Sequence, residues 1–114
     1  MGVALERSSV SRGEVYLVRL DPTRGSEIRK TRPCLVVSPD ELNQHLRTVM
    51  VAPMTTGGHA YPWRVACAFQ NRRGFAALDQ LRMVDRERLA NRLGLLTPAT
   101  LASVLSALQE MFGA

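Results

Sequence analysis

The stretch "GSEIRKTRPCLVVSP", residues 25–39, passes from a charged run to an apolar one with no spacer between them. Its first eight positions carry three cations and one carboxylate: Glu27, Arg29, Lys30 and Arg32. No hydrophobic period runs from Asp21 to Thr31, and Pro22 and Gly25 punctuate it, so these residues are expected to form a long loop. "PCLVVS" then reads as a strand, preceded by another, "GEVYLVRL" from Gly13 to Leu20, which has a β-branched and aromatic bias and stops at Asp21-Pro22. A loop that long inside a compact domain is more often functional than idle. Pro33 at the start of the second strand holds Arg32 at the strand edge, while Arg29 and Lys30 ride on the loop.

Working outward, Ser38, Pro39 and Glu41 read as a capping box opening a short helix through about His45. "RTVMVAPM" is a third strand, ended by Thr55-Thr56-Gly57-Gly58. "WRVACAF" is a fourth, with Val65, Cys67 and Phe69 on one face, and Asn71 to Gly74 is expected to be a turn. "GFAALDQLRMV" supplies one or two more strands, although its polar residues break the alternation. Asp85 is placed to cap a short turn or helix through Leu89. Thr97-Pro98 reads as the cap and first position of a longer helix, with Leu101, Val104, Leu105, Leu108 and Phe112 as its apolar stripe and Gly113 as its stop. Five or six short strands with two or three helices predict an α+β fold, a small, strongly bent antiparallel sheet or barrel.

At 114 residues the chain has one domain's length, and a partner chain burying further surface is plausible for a core of that size. Residues 1–12 read as a flexible lead-in and 13–114 as the single domain. No run is long and apolar enough for a membrane-spanning helix, and the first residues lack the apolar core of a secretory signal, so a cytoplasmic protein is expected. Cys34 and Cys67 lie in strand-like runs, where cysteine behaves as a small buried hydrophobe. His45 and His59 are the only histidines and show no zinc-ligand spacing, so neither metal nor cofactor is expected; His59, in a glycine-rich loop, reads as a solvated residue.

Charge points to a polyanionic partner. Fifteen basic against ten acidic residues give a formal +5, and Lys30 is the only lysine among the fifteen. Arginine's planar fork suits phosphate and base edges, although arginine-rich codon usage produces the same composition. Thr55 and Thr56 add hydroxyl donors on a second loop, which a bent sheet can bring beside Arg32. Trp63 and Tyr16 have faces on which bases could stack, but strands of so small a protein usually keep such residues in the core.

"RGEVYLVRLDPTRGSEIRKTRPCLVVSPDELN", "VAPMTT", "YPW" and "LDQLRMVDRERL" resemble, in order, the landmarks of the MazF/PemK family of toxin endoribonucleases. The match spans about residues 12 to 95, and the G-[DE]-V-Y, D-P-x-x-G-S-E, R-P and D-Q-[ILV]-R elements each occur once. The resemblance implies a homodimer of compact SH3-like barrels, of the CcdB/Kid/MazF kind, that cleaves single-stranded RNA without a metal. It also implies a MazE-like antitoxin whose acidic, disordered tail covers the RNA groove. Arg32 and Thr55 fall where the family has its catalytic pair, and Glu27 where some members use a carboxylate. Ser26, Thr56, Asp79 and Gln80 match positions lining the RNA groove. The basic "IRK" of residues 28–30 departs from relatives that carry a neutral stretch there, so Arg29 and Lys30 are expected to grip phosphate and the cut site does not transfer. Arg82 reads either as an RNA contact or as a salt-bridge partner of Asp79, and Glu27 either as a base or as a surface partner of Arg29 or Lys30.

The implied reaction has the ribose 2'-OH attack the adjacent phosphorus, leaving a 2',3'-cyclic phosphate and a 5'-OH. A guanidinium is a poor base near neutrality, so Arg32 is expected mainly to clamp the phosphoryl oxygens. Two other readings remain open: a CcdB-like toxin that poisons gyrase by protein contact, and a non-catalytic RNA-binding module.

Overall fold

The computed structural model describes residues 10–20 and 30–113. Seven strands and two α-helices follow in the order β1 (Glu14–Arg19), β2 (Thr31–Val36), α1 (Asp40–His45), β3 (Thr48–Thr55), β4 (Arg64–Phe69), β5 (Arg72–Ala77), β6 (Arg82–Asp85), β7 (Leu89–Leu95) and α2 (Pro98–Phe112). Single 3-10 turns at Leu78–Gln80 and Arg86–Arg88 flank β6. The strands form one curled antiparallel half-barrel in the order β4-β5-β3-β2-β1-β7, with β6 also on β3. This is the α+β architecture expected.

β3 is the spine. It pairs with β2 along one side, and on the other with β6 over Thr48–Val51 and with β5 over Met54–Thr55. Pro53, which lacks an N–H to donate, falls in the gap where β3 changes partner. There the chain of β5 turns through Leu78–Gln80 into β6, and the sheet bends.

Alternation along β3 gives the sheet two apolar faces. Ala52 and Met54 join Val15, Leu35 and Ala76 in one cluster, on which α2 sets the wholly buried Val104. Val49 and Val51 join Val18, Leu20, Cys34 and Val84 in the other. Val65, Cys67 and Phe69 share the first cluster, as their spacing predicts. Thr97 caps α2 by accepting from the Thr100 N–H, with Pro98 in its first turn. Leu101, Leu105 and Leu108 are half-buried, but Phe112 is 75% exposed: the last turn overhangs the sheet, so the predicted stripe stops short of it.

Several expectations are corrected. α1 begins at Asp40 with Pro39 at its cap and no side-chain cap bond, so the Ser38 capping box does not form. The Ser38 hydroxyl instead donates to Asn43 Oδ1 at 2.6 Å and accepts from the Met50 N–H at 3.0 Å. Both side chains are buried, so their mutual bonds outrank an exposed cap. Val10 is buried, and the Ser11 and Arg12 N–H groups bond to Glu14 and Asp40, so the ordered fold starts upstream of the Gly13 boundary. The turn expected at Asn71–Gly74 lies at Gln70-Asn71 instead, and β5 begins at Arg72.

Candidate active site

The backbone conformation of Lys30 determines where β2 begins. Its φ of 71° is left-handed, and its carbonyl accepts from the Leu20 N–H at 3.1 Å, closing the base of the segment between β1 and β2. Arg32 is thereby delivered as the second residue of β2, paired with Val18. The β2–β3 pairing ends at Cys34 and Pro53, and beyond that last pair Arg32 and Thr55 face one cleft.

A third wall comes from the β4–β5 hairpin. Gln70 and Asn71 take φ of 52° and 63°, the left-handed pair that a tight two-residue hairpin turn requires. Cys67 then pairs with Gly74, which lies flush on the end of β3: a β-carbon there would stand 1.7 Å from the Thr55 carbonyl oxygen. Only glycine permits that approach.

These walls enclose one cleft of about 560 Å³. Lys30 and Arg32 line one side, Thr55 and Thr56 the end of β3, and Arg72 and Arg73 the hairpin, with Cys67 and Phe69 beneath. No carboxylate lines it among the described residues. The half-buried Arg32 has a buried Nε that meets no acceptor there, an arrangement that costs about 1–3 kcal/mol until an anion arrives. The Thr55 hydroxyl donates to the Gly57 carbonyl at 3.2 Å, a neutral bond weaker than one to a phosphate oxygen. Burial pushes the Cys34 thiol up to about 12, against the pull of the nearby Arg82 and Arg32 guanidinium groups. Cys34 is thus an inert neutral neighbour of the cations rather than a thiolate that would neutralise them.

The predicted site residues divide into three groups. Arg32, Thr55, Thr56 and Lys30 meet in the cleft. Ser26, Glu27 and Arg29 lie outside the described residues. Asp79, Gln80 and Arg82 stand elsewhere. Asp79 accepts from Arg64 Nε at 2.6 Å and Nη2 at 2.8 Å, and these bonds, with lesser help from Gln80, hold its carboxyl below the usual range despite partial burial. The salt bridge from Arg82 to Asp79 is therefore not formed. Arg82 Nη1 donates 3.1 Å to the Leu20 carbonyl, bracing the end of β1.

Tyr16 is in the core, its hydroxyl donating to Glu14, but Trp63 is 41% exposed and corrects the expectation of burial. It stacks parallel on Tyr61, ring centroids 5.2 Å apart, because the chain turns back at Tyr61–Arg64 before β4 starts. His59 is exposed, as expected of it. Arg72 and Arg73 are the cleft residues that sequence reasoning passed over. "QNRRG" looks like a polar turn, and the signal for its strand was the complementary Phe69-to-Arg72 end of a hairpin rather than any apolar period.

The family model described as PemK-like, MazF-like toxin of type II toxin-antitoxin system matches residues 11–112. The "Endoribonuclease toxin MazF" of Escherichia coli (strain K12) is 32% identical over 102 residues, covering 89% of this chain and 92% of that protein. Among solved structures, MazF (Form-I) from Deinococcus radiodurans superposes with a TM-score of 0.79 at 27% identity, over 92% of this chain and 97% of the other. An endoribonuclease in complex with its cognate antitoxin from Mycobacterial species gives 0.76 at 27% identity, over 90% and 93%.

Proposed function

The chain belongs to the PemK-like, MazF-like toxin family of type II toxin-antitoxin systems, and on that premise we propose that it is the toxin, a cytoplasmic endoribonuclease that cuts single-stranded RNA. The observation that carries the reading is the buried Nε of Arg32, which meets no acceptor among the described residues, in one cleft with Thr55 that is lined by cations and no described acid. Such a cleft fits a phosphodiester.

The reaction asks three things of the protein: removal of a proton from the 2'-OH, stabilisation of the charge that builds on the phosphoryl oxygens, and a proton for the leaving 5'-oxygen. Arg32 Nε and the Thr55 hydroxyl serve the second. As the 2'-oxygen bonds to phosphorus and the P–O5' bond breaks, they hold the two non-bridging oxygens, leaving a 2',3'-cyclic phosphate and a 5'-OH. Glu27 is the proposed base and Arg32 helps to protonate the leaving 5'-oxygen, with Ser26, Arg29, Lys30 and Thr56 contacting the RNA. No metal is needed to supply a nucleophile that the ribose already carries. Asp79, tied to Arg64, and Gln80, bonded to Asp79, serve as a rigid shoulder of the RNA groove. A homodimer and a MazE-like antitoxin with an acidic segment complete the reading, the latter matching the +5 charge of the chain.

The test is to incubate the purified protein with a long unstructured RNA in EDTA and map the new 5' ends. Discrete cuts bearing 5'-OH, lost in Arg32→Ala and Thr55→Ala, are expected. Uncut RNA from a protein that still arrests growth would move the assignment to a protein target such as gyrase.

A further inference from the structure

We infer that Arg72 and Arg73 form a second phosphate subsite, which holds the phosphodiester next to the scissile one. The inference rests on the ribonuclease reading and assigns residues that the reaction itself does not require. It starts from a surplus of charge. A phosphodiester carries one negative charge, yet Lys30, Arg32, Arg72 and Arg73 line the same cleft. Cations placed together in this way give the cleft a field that attracts a ligand with more than one anionic group.

Position separates the two pairs. Arg32 is anchored in β2 by its pairing with Val18, with its Nε buried. Arg72 and Arg73 stand on β5, on the far side of β3 from β2, are exposed, and form no ion pair among the described residues. The tight turn at Gln70-Asn71 and the close seat of Gly74 on Thr55 fix their backbone. They therefore make a preformed shelf on a rigid hairpin.

A second groove begins where the first ends. It shares Thr56, Arg73 and Gly74 with the cleft and continues past Gly57, Gly58 and Phe75 to Thr100 of α2. Arg73 stands at the junction. An RNA strand with its scissile phosphate at Arg32 and Thr55 that continues across the hairpin passes its next phosphate over Arg73, with Arg72 beside it. The adjoining groove, lined by glycine backbone, Ala66, Ala68 and Phe75, then meets the following nucleoside. The site accordingly needs a substrate with at least one phosphate beyond the one cut, and a dinucleotide with a single phosphate is a poor substrate.

The test uses short RNAs spanning the mapped cut site, each with one uncharged methylphosphonate replacing a phosphate on either side of the scissile one. For wild type, one replacement is expected to lower kcat/KM about tenfold or more, the loss of a charge-assisted contact. In the Arg72→Ala/Arg73→Ala variant the unmodified RNA should show a similar loss, mainly through KM, and that methylphosphonate should cost nothing further. The slope of log K against log salt should fall by about 0.7 for each lost contact, and Arg73→Lys should restore it. Arg32→Ala, by contrast, should retain the flanking penalty in RNA binding. A flanking penalty that is unchanged in the double variant overturns the subsite and leaves the ribonuclease intact. Wild-type protein that neither cuts nor binds the RNA overturns both.

Discussion

The α-carbon of Gly74 in β5 lies so close to the carbonyl oxygen of Thr55 in β3 that a methyl group there would stand 1.7 Å from that oxygen. The contact is backbone on backbone, with no flexible side chain to give way. Gly74→Ala is therefore expected to push the Thr55 end of β3 out of line with Arg32, cutting RNA cleavage by 10²-fold or more, on the scale of losing one oxyanion donor. It should also lower stability by about 1–3 kcal/mol, as overpacking does. Single-turnover cleavage alongside a urea melt checks both, and near-normal cleavage would show that the approach of these strands does not set the site.

Arg32 contributes a fork in a fixed place, not merely a charge. Arg32→Lys is expected to fall within about tenfold of Arg32→Ala in cleavage rate, because an ammonium cannot reproduce the planar donors of a guanidinium. Cleavage at wild-type rate by the lysine variant would reduce the residue to a general electrostatic role.

The pair of hydrogen bonds from Arg64 to Asp79 lowers the carboxyl's folded pKa below its free value of 3.8. A depressed carboxyl contributes stability above its unfolded pKa and loses it as pH falls through the folded value. Stability should thus decline below about pH 4, and Asp79→Asn should flatten that limb while costing roughly 0.5–1 kcal/mol at neutrality, the worth of a partly exposed pair. Melting curves from pH 7 down to 2 read this out, and parallel curves for the two proteins would refute it.

Tyr16 behaves in the opposite direction. Burial, then the adjacent Glu14 carboxylate, push its phenol up to about 12. Its neutral form is favoured in the fold, so the stability it contributes is complete below pH 10 and is lost as pH climbs through 12. An ultraviolet titration should find a phenolate step near pH 12 that vanishes in Tyr16→Phe. In a Tyr61→Phe protein, where Tyr16 is the sole tyrosine, a step near 10 would contradict the burial of this ring.

Neither cysteine is expected to react with a thiol reagent at pH 8 while the chain is folded. Burial raises both thiols, Cys34 to about 12, even though Cys67 underlies the cleft. Both should label after denaturation, and prompt native labelling would reveal an opening of the hairpin.

How far the sequence could be read depended on whether neighbours in the chain decided the outcome. Thr97-Pro98 opening a helix rests on local chemistry and is found as expected, whereas β2 starts at Thr31, two residues before the Pro33 expected to begin it. Thr55, expected on a loop, is the last residue of β3, and Arg32 lies within β2 because its pairing with β1 runs out to Thr31. Ser38 failed as a cap because Asn43 and Met50, which claim its hydroxyl, meet it only in the folded interior. β7 carries Asn91, Arg92 and Gly94 and is mostly exposed at the sheet edge, so no alternation announced it; its Arg92 is held by the buried Glu14, a distant partner. Arg72 and Arg73 were hidden for the same reason. Their importance comes from what β5 is laid against, which is the end of β3.

That β3 serves three partners has a consequence for synthesis. As the chain leaves the ribosome, Arg32 and Thr55 emerge well before the hairpin that walls their cleft, and β3 has only β2 to pair with until residues 72–85 follow. Pairings so distant in sequence form late. A nascent chain shorter than this holds Arg32 and Thr55 without a closed cleft, so on the proposed reading the messenger being translated meets a complete site only after β5 and β6 have been made.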